Sequence, residues 1–174
     1  MAGCLIDKGF TLSCGGFALA GGLASLYIAN KEDVVSITKS SPTGKYDTIT
    51  MQAGKVFYKF DFAKDTANFT QATEITEAGT ALKQTLVFGI PNYDDEQAER
   101  IEQFAFAKVV VIAETRQGVR VILGLDGTSG LELEVIEQAT GSAQTDANRT
   151  LYTISTYVSN AAPELAAGVT VPLV

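Results

Sequence analysis

The segment from Lys108 to Leu125 constrains this chain more than any other. Lys108 to Thr115 (KVVVIAET) and Val119 to Leu125 (VRVILGL) are strand-length runs of β-branched residues, joined by Arg116-Gln117-Gly118, a connection suited to a hairpin. Val109, Val110, Val111 and Ile112 follow one another without a polar residue. Alternate side chains of a strand point to opposite faces, so such a run implies burial on both.

The other strands read less uniformly. Leu23–Asn30 (LASLYIAN), Val34–Thr38 (VVSIT), the short Ile49-Thr50-Met51 and Ala81–Ile90 (ALKQTLVFGI) carry strand composition. Lys55–Phe62 (KVFYKFDF) interleaves aromatics with charges, which suits a half-buried strand better than a nucleic-acid platform in so acidic a chain. Asp65–Gly79 is polar and reads as a loop with a possible short strand. In Leu131–Gln138, Leu131, Leu133 and Val135 alternate with Glu132 and Glu134, and partly with Glu137, predicting one apolar face and one acidic face. Leu151–Val158 divides in the same way, with Tyr152, Ile154 and Val158 on one face and Thr153, Ser155 and Tyr157 on the other.

One helix interrupts the strands. After Pro91, Asn92 is placed to cap it, and Asp94, Asp95 and Glu96 suit the positive end of its dipole. Ala98, Ile101, Phe104, Ala105 and Lys108 then recur at helical spacing. The predicted fold is mainly β: an antiparallel β-sandwich or barrel with one amphipathic α-helix at about 92–107 and extended arms. Residues 1–174 form one domain, with a Gly-rich arm at 1–22, a core at 23–160 and a C-terminal arm at 161–174 that reads as irregular.

The chain contains no His and no Trp. Ser–His–Asp and Cys–His nucleophile systems and His-ligated metals are therefore excluded within it. Cys4 and Cys14 cannot make a four-ligand zinc site alone, and they read as reduced thiols, with a disulfide between them as the alternative. Gly124-Leu125-Asp126-Gly127 lacks the Gly-Lys-Ser/Thr ending of a phosphate loop and leads into a strand. Asp94-Asp95-Glu96 point in different directions on a helix and fit its start better than an ion. Asn68 and Asn148 stand in formal glycosylation sequons, without a signal peptide to give them meaning. The reading is no enzyme, no catalytic residue, no metal site and no cofactor.

Met1–Leu23 is apolar, but Asp7 and Lys8 interrupt its early run and Gly15, Gly16, Gly21 and Gly22 the later one, so neither a secretory signal nor a membrane helix is expected. Lys8-Gly9-Phe10-Thr11-Leu12 resembles a type IV prepilin processing site. Cys14 occupies the place of the acidic residue that family needs, and the following glycines oppose its long helix. An arm or first hairpin fits better, lying across a neighbouring subunit or folding back on its own domain.

A formal net charge of −7 argues against wrapping nucleic acid, and it suits either plain solubility or a wall that DNA slides past. The order LYIAN, VFYKFDF, QTLVFGIP with its helix, VVVIAETRQGVRVILGL and GSAQTDANRTLYTIS resembles structural proteins of phage genomes. The layout of many strands, one amphipathic helix between Pro91 and Lys108, a long polar loop near residues 40–50 and an arm at each end resembles, over roughly residues 23–160, the tail tube proteins of long-tailed phages and related contractile injection systems. That resemblance implies a structural virion protein assembled in the host cytoplasm. It would form homo-oligomeric rings, as hexamers, stacked into a conduit for DNA that is not bound by sequence. Other virion proteins would be its partners, and a membrane would not. Glu132, Glu134 and Glu137 become candidates to line the lumen. The arms and the loop Lys39, Ser40, Ser41, Pro42, Thr43, Gly44, Lys45 (continuing to Asp47) become candidates for contact between subunits. A capsid decoration or head-tail connector protein is the alternative reading, followed by a non-viral binding domain.

Overall fold

The computed structural model describes residues 21–39, 44–77, 79–91, 97–125, 130–142 and 146–173. In chain order the elements are β1 (Leu23–Asn30), a 3₁₀ turn (Lys31–Asp33), β2 (Val34–Thr38), β3 (Thr48–Met51), β4 (Tyr58–Phe60), β5 (Asn68–Thr76) and β6 (Gly79–Pro91). Then come α1 (Gln97–Phe106), β7 (Val109–Thr115), β8 (Arg120–Leu123), β9 (Glu132–Ala139), β10 (Arg149–Val158) and β11 (Glu164–Leu165). They form a mainly β, sandwich-like fold. One sheet has the order β11-β8-β7-β1-β4, the second β5-β6-β10-β9, and a small third sheet pairs β2 with β3.

β7 sits in the middle of the five-stranded sheet, where its composition requires it to be. Val110, Val111, Ile112 and Ala113 are fully buried. Val109, Val111 and Ala113 face the second sheet, packing with Leu86, Phe88, Tyr152 and Ile154. Val110 and Ile112 face the other way, onto Phe57, Ile37, Ile122, Leu165 and Val171. A second sheet therefore covers one face of the hairpin, and the small sheet with the C-terminal residues covers the other. β7 and β8 pair antiparallel from Val111↔Leu123 to Glu114↔Arg120, closed by the tight turn at Arg116-Gln117.

Four sequence expectations change. The polar stretch 65–79 contains the nine-residue strand β5, paired with β6 along its whole length. Only Tyr58–Phe60 of Lys55–Phe62 lies in a strand, and Phe57 packs in the opposite core, where it bridges to Leu173. In β9 the pairing with β10 slips between Thr153↔Val135 and Ile154↔Leu133, a bulge that inserts Glu134. The bulge reverses the alternation, so Leu133 and Ile136 pack on the core while Val135 is exposed.

The C-terminal residues, read as an irregular arm, are extended but docked on their own domain. Glu164–Leu165 pairs with β8, Phe57 N–H donates to Pro172 O (2.8 Å), and Ile122 N–H donates to Pro163 O (2.9 Å). Leu165 and Val171 are buried, and that apolar burial is the physical reason the segment does not stand free.

The helix begins at Gln97 within the described residues; the expected cap at Asn92 and the acids Asp94, Asp95 and Glu96 lie outside them. Phe104 is buried and Ile101 half-buried, whereas Ala98 and Ala105 are exposed. Phe104 meets Phe60, Phe88 and Tyr152 with ring centroids 5.6, 6.0 and 5.1 Å away. One aromatic contact cluster thus docks the helix on the sandwich.

Asp33 is the buried acid of the 3₁₀ turn. Asn30 Nδ2 donates to its Oδ2 at 2.9 Å, and Lys55 Nζ lies 3.3 Å from its Oδ1. The Asn30 amide foremost, then the Lys55 ammonium, hold its carboxyl below the usual range against the opposing effect of burial. A depressed folded pKa contributes stability above the unfolded value of about 3.9, and that contribution is lost as pH falls below it. Asp33→Asn is therefore expected to cost about 1–2 kcal/mol at pH 7 and much less at pH 3, measured by urea unfolding at both. An equal loss at the two pH values would mean that the carboxylate charge is not what matters.

Candidate interaction surface

The four-stranded sheet turns one face to the core and the other to solvent. Cross-strand partners share a face, so the register gives the outer rows directly. Thr70, Thr85, Ser155 and Glu132 form one row, and Asn68, Val87, Thr153 and Val135 the next. A third row holds Ala72, Lys83 and Tyr157. Small and hydroxyl side chains dominate this face, leaving it low and broad.

The charged groups here are arranged in pairs. Lys83 Nζ donates to Glu134 Oε1 at 2.9 Å and lies 5.8 Å from the centre of the Tyr157 ring. Tyr157 O–H donates to Glu74 Oε2 at 3.0 Å, so Glu74, Lys83, Tyr157 and Glu134 connect all four strands. The Lys83 hydrogen bond, helped by Ser155, lowers the Glu134 pKa; Glu134 in turn raises that of Lys83. The bond to Glu74 raises the pKa of the Tyr157 phenol. Each shift favours the protonation state that keeps the row intact near neutral pH.

Glu132, Glu134 and Glu137 are all exposed on β9. Glu132 pairs with Lys108 at 3.2 Å and Glu134 with Lys83, so two of the three acids carry a lysine partner. The surface is a mixed one on which Glu137 adds an exposed negative charge.

The predicted loop is divided. Lys39, Gly44 and Lys45 are exposed, while Ser40, Ser41, Pro42 and Thr43 lie outside the described residues. Lys45 Nζ is 2.6 Å from Glu164 Oε2, and Tyr46 exchanges backbone hydrogen bonds with Glu164 and Ala166 at 2.9 and 2.7 Å. The C-terminal end of the loop is therefore tied to the chain's own tail. A cleft of about 930 Å³ opens between β4, the end of β6 and α1, lined by Tyr58, Phe60, Phe104 and Phe106 among others. Among the described residues, no three acidic or thiol side chains converge as metal ligands, and no helix is long and apolar enough to cross a membrane.

The sheet edges differ sharply. β4 and β11 expose edges of three and two residues. β9 is bulged at Glu134 and carries three glutamates, devices that discourage pairing with another strand. β5 has nine residues, no bulge against β6, no proline and no lysine. Its hairpin with β6 leaves Ile75 87% exposed near the turn. Sequence reading allowed this stretch a short strand at most, although its three threonines, Phe69 and Ile75 carry the β-propensity that marks a full one. No family model, no curated protein and no solved structure matches the chain.

Proposed function

We propose that this chain is a structural subunit that assembles with copies of itself, and that its assembly is the tube of a phage tail or a related injection system. The observation that carries the proposal is the nine-residue edge of β5, which among the described residues has no strand beside it, whereas the other sheet edges are short or blocked. Long free edges are templates for another strand, and monomeric proteins avoid them. Joining sheets through β5 makes the outer face of the four-stranded sheet continuous from one subunit to the next. In a closed ring that face becomes a wall, with Glu132, Glu134 and Glu137 on it. Their pairing with Lys83 and Lys108 makes the wall weakly negative, which suits passage of DNA without adhesion.

The reading predicts rings, stacked rings or filaments in negative-stain micrographs of purified full-length protein. Sedimentation velocity should show mass rising with concentration. A monomer at every concentration, including in the presence of preformed tail structures offered as initiators, would overturn it.

A further inference from the structure

β6 runs the length of the sandwich and marks both its ends. Its register is unbroken against β5 from Thr76↔Gly79 to Asn68↔Val87, and against β10 from Val158↔Leu82 to Arg149↔Pro91. Thr80 and Ile90 are therefore about 33 Å apart at the usual strand rise. Along the inner face of β6, burial falls toward the hairpin turn. Phe88, Leu86 and Gln84 are buried, Leu82 is half-buried and Thr80 is exposed. The β5–β6 hairpin thus overhangs the core, and Ile75, opposite Thr80 on the same face, is 87% exposed.

The other end of β6 opens into the cleft of about 930 Å³. This space lies between the end of β6 in one sheet and β1 and β4 in the other, with α1 beside it. Phe60, Ile90 and Phe104 in its lining pack in the main core, so the floor is continuous with the layer between the sheets. Tyr58 and Phe106 stand on its rim, 52% and 89% exposed. A protruding apolar tip and an aromatic cleft therefore sit at opposite ends of one strand. Ile75 cannot reach the cleft of its own chain, and a second copy can bring the two together.

We infer that the β5–β6 hairpin tip of one copy, led by Ile75, inserts into the aromatic cleft of the next. This inference rests on the assembly reading and adds to it a contact along the strands, at right angles to the one through the β5 edge. Inserted there, Ile75 extends the inter-sheet layer of its neighbour and covers Tyr58 and Phe106, exposed apolar surface of the kind that marks interaction sites. The cleft lies within the range of about 300–1,000 Å³ that encloses a whole ligand, so it takes the tip of a hairpin and not one side chain alone. Charge agrees with this occupant. Glu77 is exposed at the turn, and among the described lining residues Lys59 is the cation, 3.2 Å from exposed Asp61. Tip and cleft are different surfaces, so the contact is head-to-tail and repeats from copy to copy.

Ile75→Asp and Phe106→Asp test this. Both side chains are almost wholly exposed, so each variant should keep the parental Tm. Each alone should fail to extend end to end, giving single rings or smaller oligomers where the full chain gives stacks or filaments. Ile75→Asp keeps an intact cleft, and Phe106→Asp keeps an intact tip. Separately prepared variants, once mixed, should therefore join in twos and no further, read as a doubled mass by sedimentation velocity. Cysteines locate the contact. In a Cys4→Ser, Cys14→Ser background, chains carrying Glu77→Cys and chains carrying Gln103→Cys should be joined by a short bismaleimide when mixed, and neither should be joined to itself. If the full chain extends and both aspartate variants extend equally, or the mixture does not pair, or no cross-link forms, the strand-end contact is wrong and the assembly reading stands. A full chain that stops at single rings also overturns the strand-end contact alone. If the full chain never assembles, both fall.

Discussion

Gly124→Ala is expected to cost more than about 3 kcal/mol of stability, enough to leave much of the protein unfolded or insoluble. Gly124 follows β8 with φ +74°, a left-handed conformation that costs an L-residue roughly 1–2 kcal/mol by itself. The larger cost is steric. A Cβ would stand 2.9 Å from both Leu131 N and Val109 O, and 3.2 Å from Leu131 Cγ. Those atoms cannot move aside, because Val109 and Leu131 exchange backbone hydrogen bonds of 2.9 and 2.8 Å in the heart of the core. The Gly124 N–H also donates at 3.2 Å to Gln84 Oε1, a buried side chain on the facing sheet. Moving Gly124 would strand that polar group, and a buried unsatisfied amide adds about 1–3 kcal/mol. Gly118→Ala supplies the control: its φ is +79°, but nothing lies within 4 Å of the added methyl. Urea unfolding of the two variants separates backbone strain from collision. Equal losses would remove the collision from the explanation.

Gln84 also shows what a sequence hides. ALKQTLVFGI gives no sign that its glutamine is nearly inaccessible. Gln84 accepts from Gly124 on the other sheet, and its Nε2 lies 3.5 Å from Gln71 Oε1, which accepts the Ala162 N–H at 2.9 Å. This polar thread links both sheets and anchors the start of the C-terminal segment. No local pattern encodes it, since its members are 13 to 91 residues apart. The same segment read as a loose arm because Pro163, Gly168 and Pro172 are breakers in isolation. Tertiary burial of Leu165 and Val171 overrides that local signal.

Where periodicity and burial agree, the chain is legible. β1 and β2 fall on the runs LASLYIAN and VVSIT, and the Val/Ile hairpin takes the centre of its sheet. Legibility fails at the edges. Among the described residues β5 has one partner strand and little buried area, so its composition is polar and its pairing is what makes it a strand. β9 fails through the bulge: a period-two reading placed Val135 with Leu133, and one inserted residue sends it to solvent. The acidic face was legible as three exposed glutamates, whereas their lysine partners were not. Lys83 lies 51 residues from Glu134 and meets it only through the fold. The free edge of β5, on which the proposed assembly turns, was invisible for a related reason, because an edge is a property of the sheet and not of the strand.

Phe88→Ala is expected to cost about 3–5 kcal/mol, the usual loss for a large aromatic removed from a core. Phe88 is fully buried on the inner face of β6. Its ring stacks on Tyr152 at 5.3 Å with the planes 10° apart, and meets the edges of Phe104 and Phe60 at 6.0 and 6.3 Å. Phe104 is the buried anchor of α1, so the cavity opens directly beneath the helix. The loss should therefore be uneven. Amides of Gln97–Phe106 should exchange with solvent faster than those of β7, whose burial rests on the hairpin and its two covering layers. Phe104→Ala removes a contact from the same cluster, so the double variant should lose less than the sum of the two single losses. Hydrogen exchange and urea unfolding together check both statements. Uniform loss of protection across α1 and β7, with additive free energies, would mean that the aromatic cluster is not what docks the helix. Because β6 also carries Lys83 on its outer face, a loosened inner face should disturb the row that joins Glu74, Lys83, Tyr157 and Glu134. On the proposed assembly reading, particle formation should then be lost at lower temperature than for the unsubstituted chain.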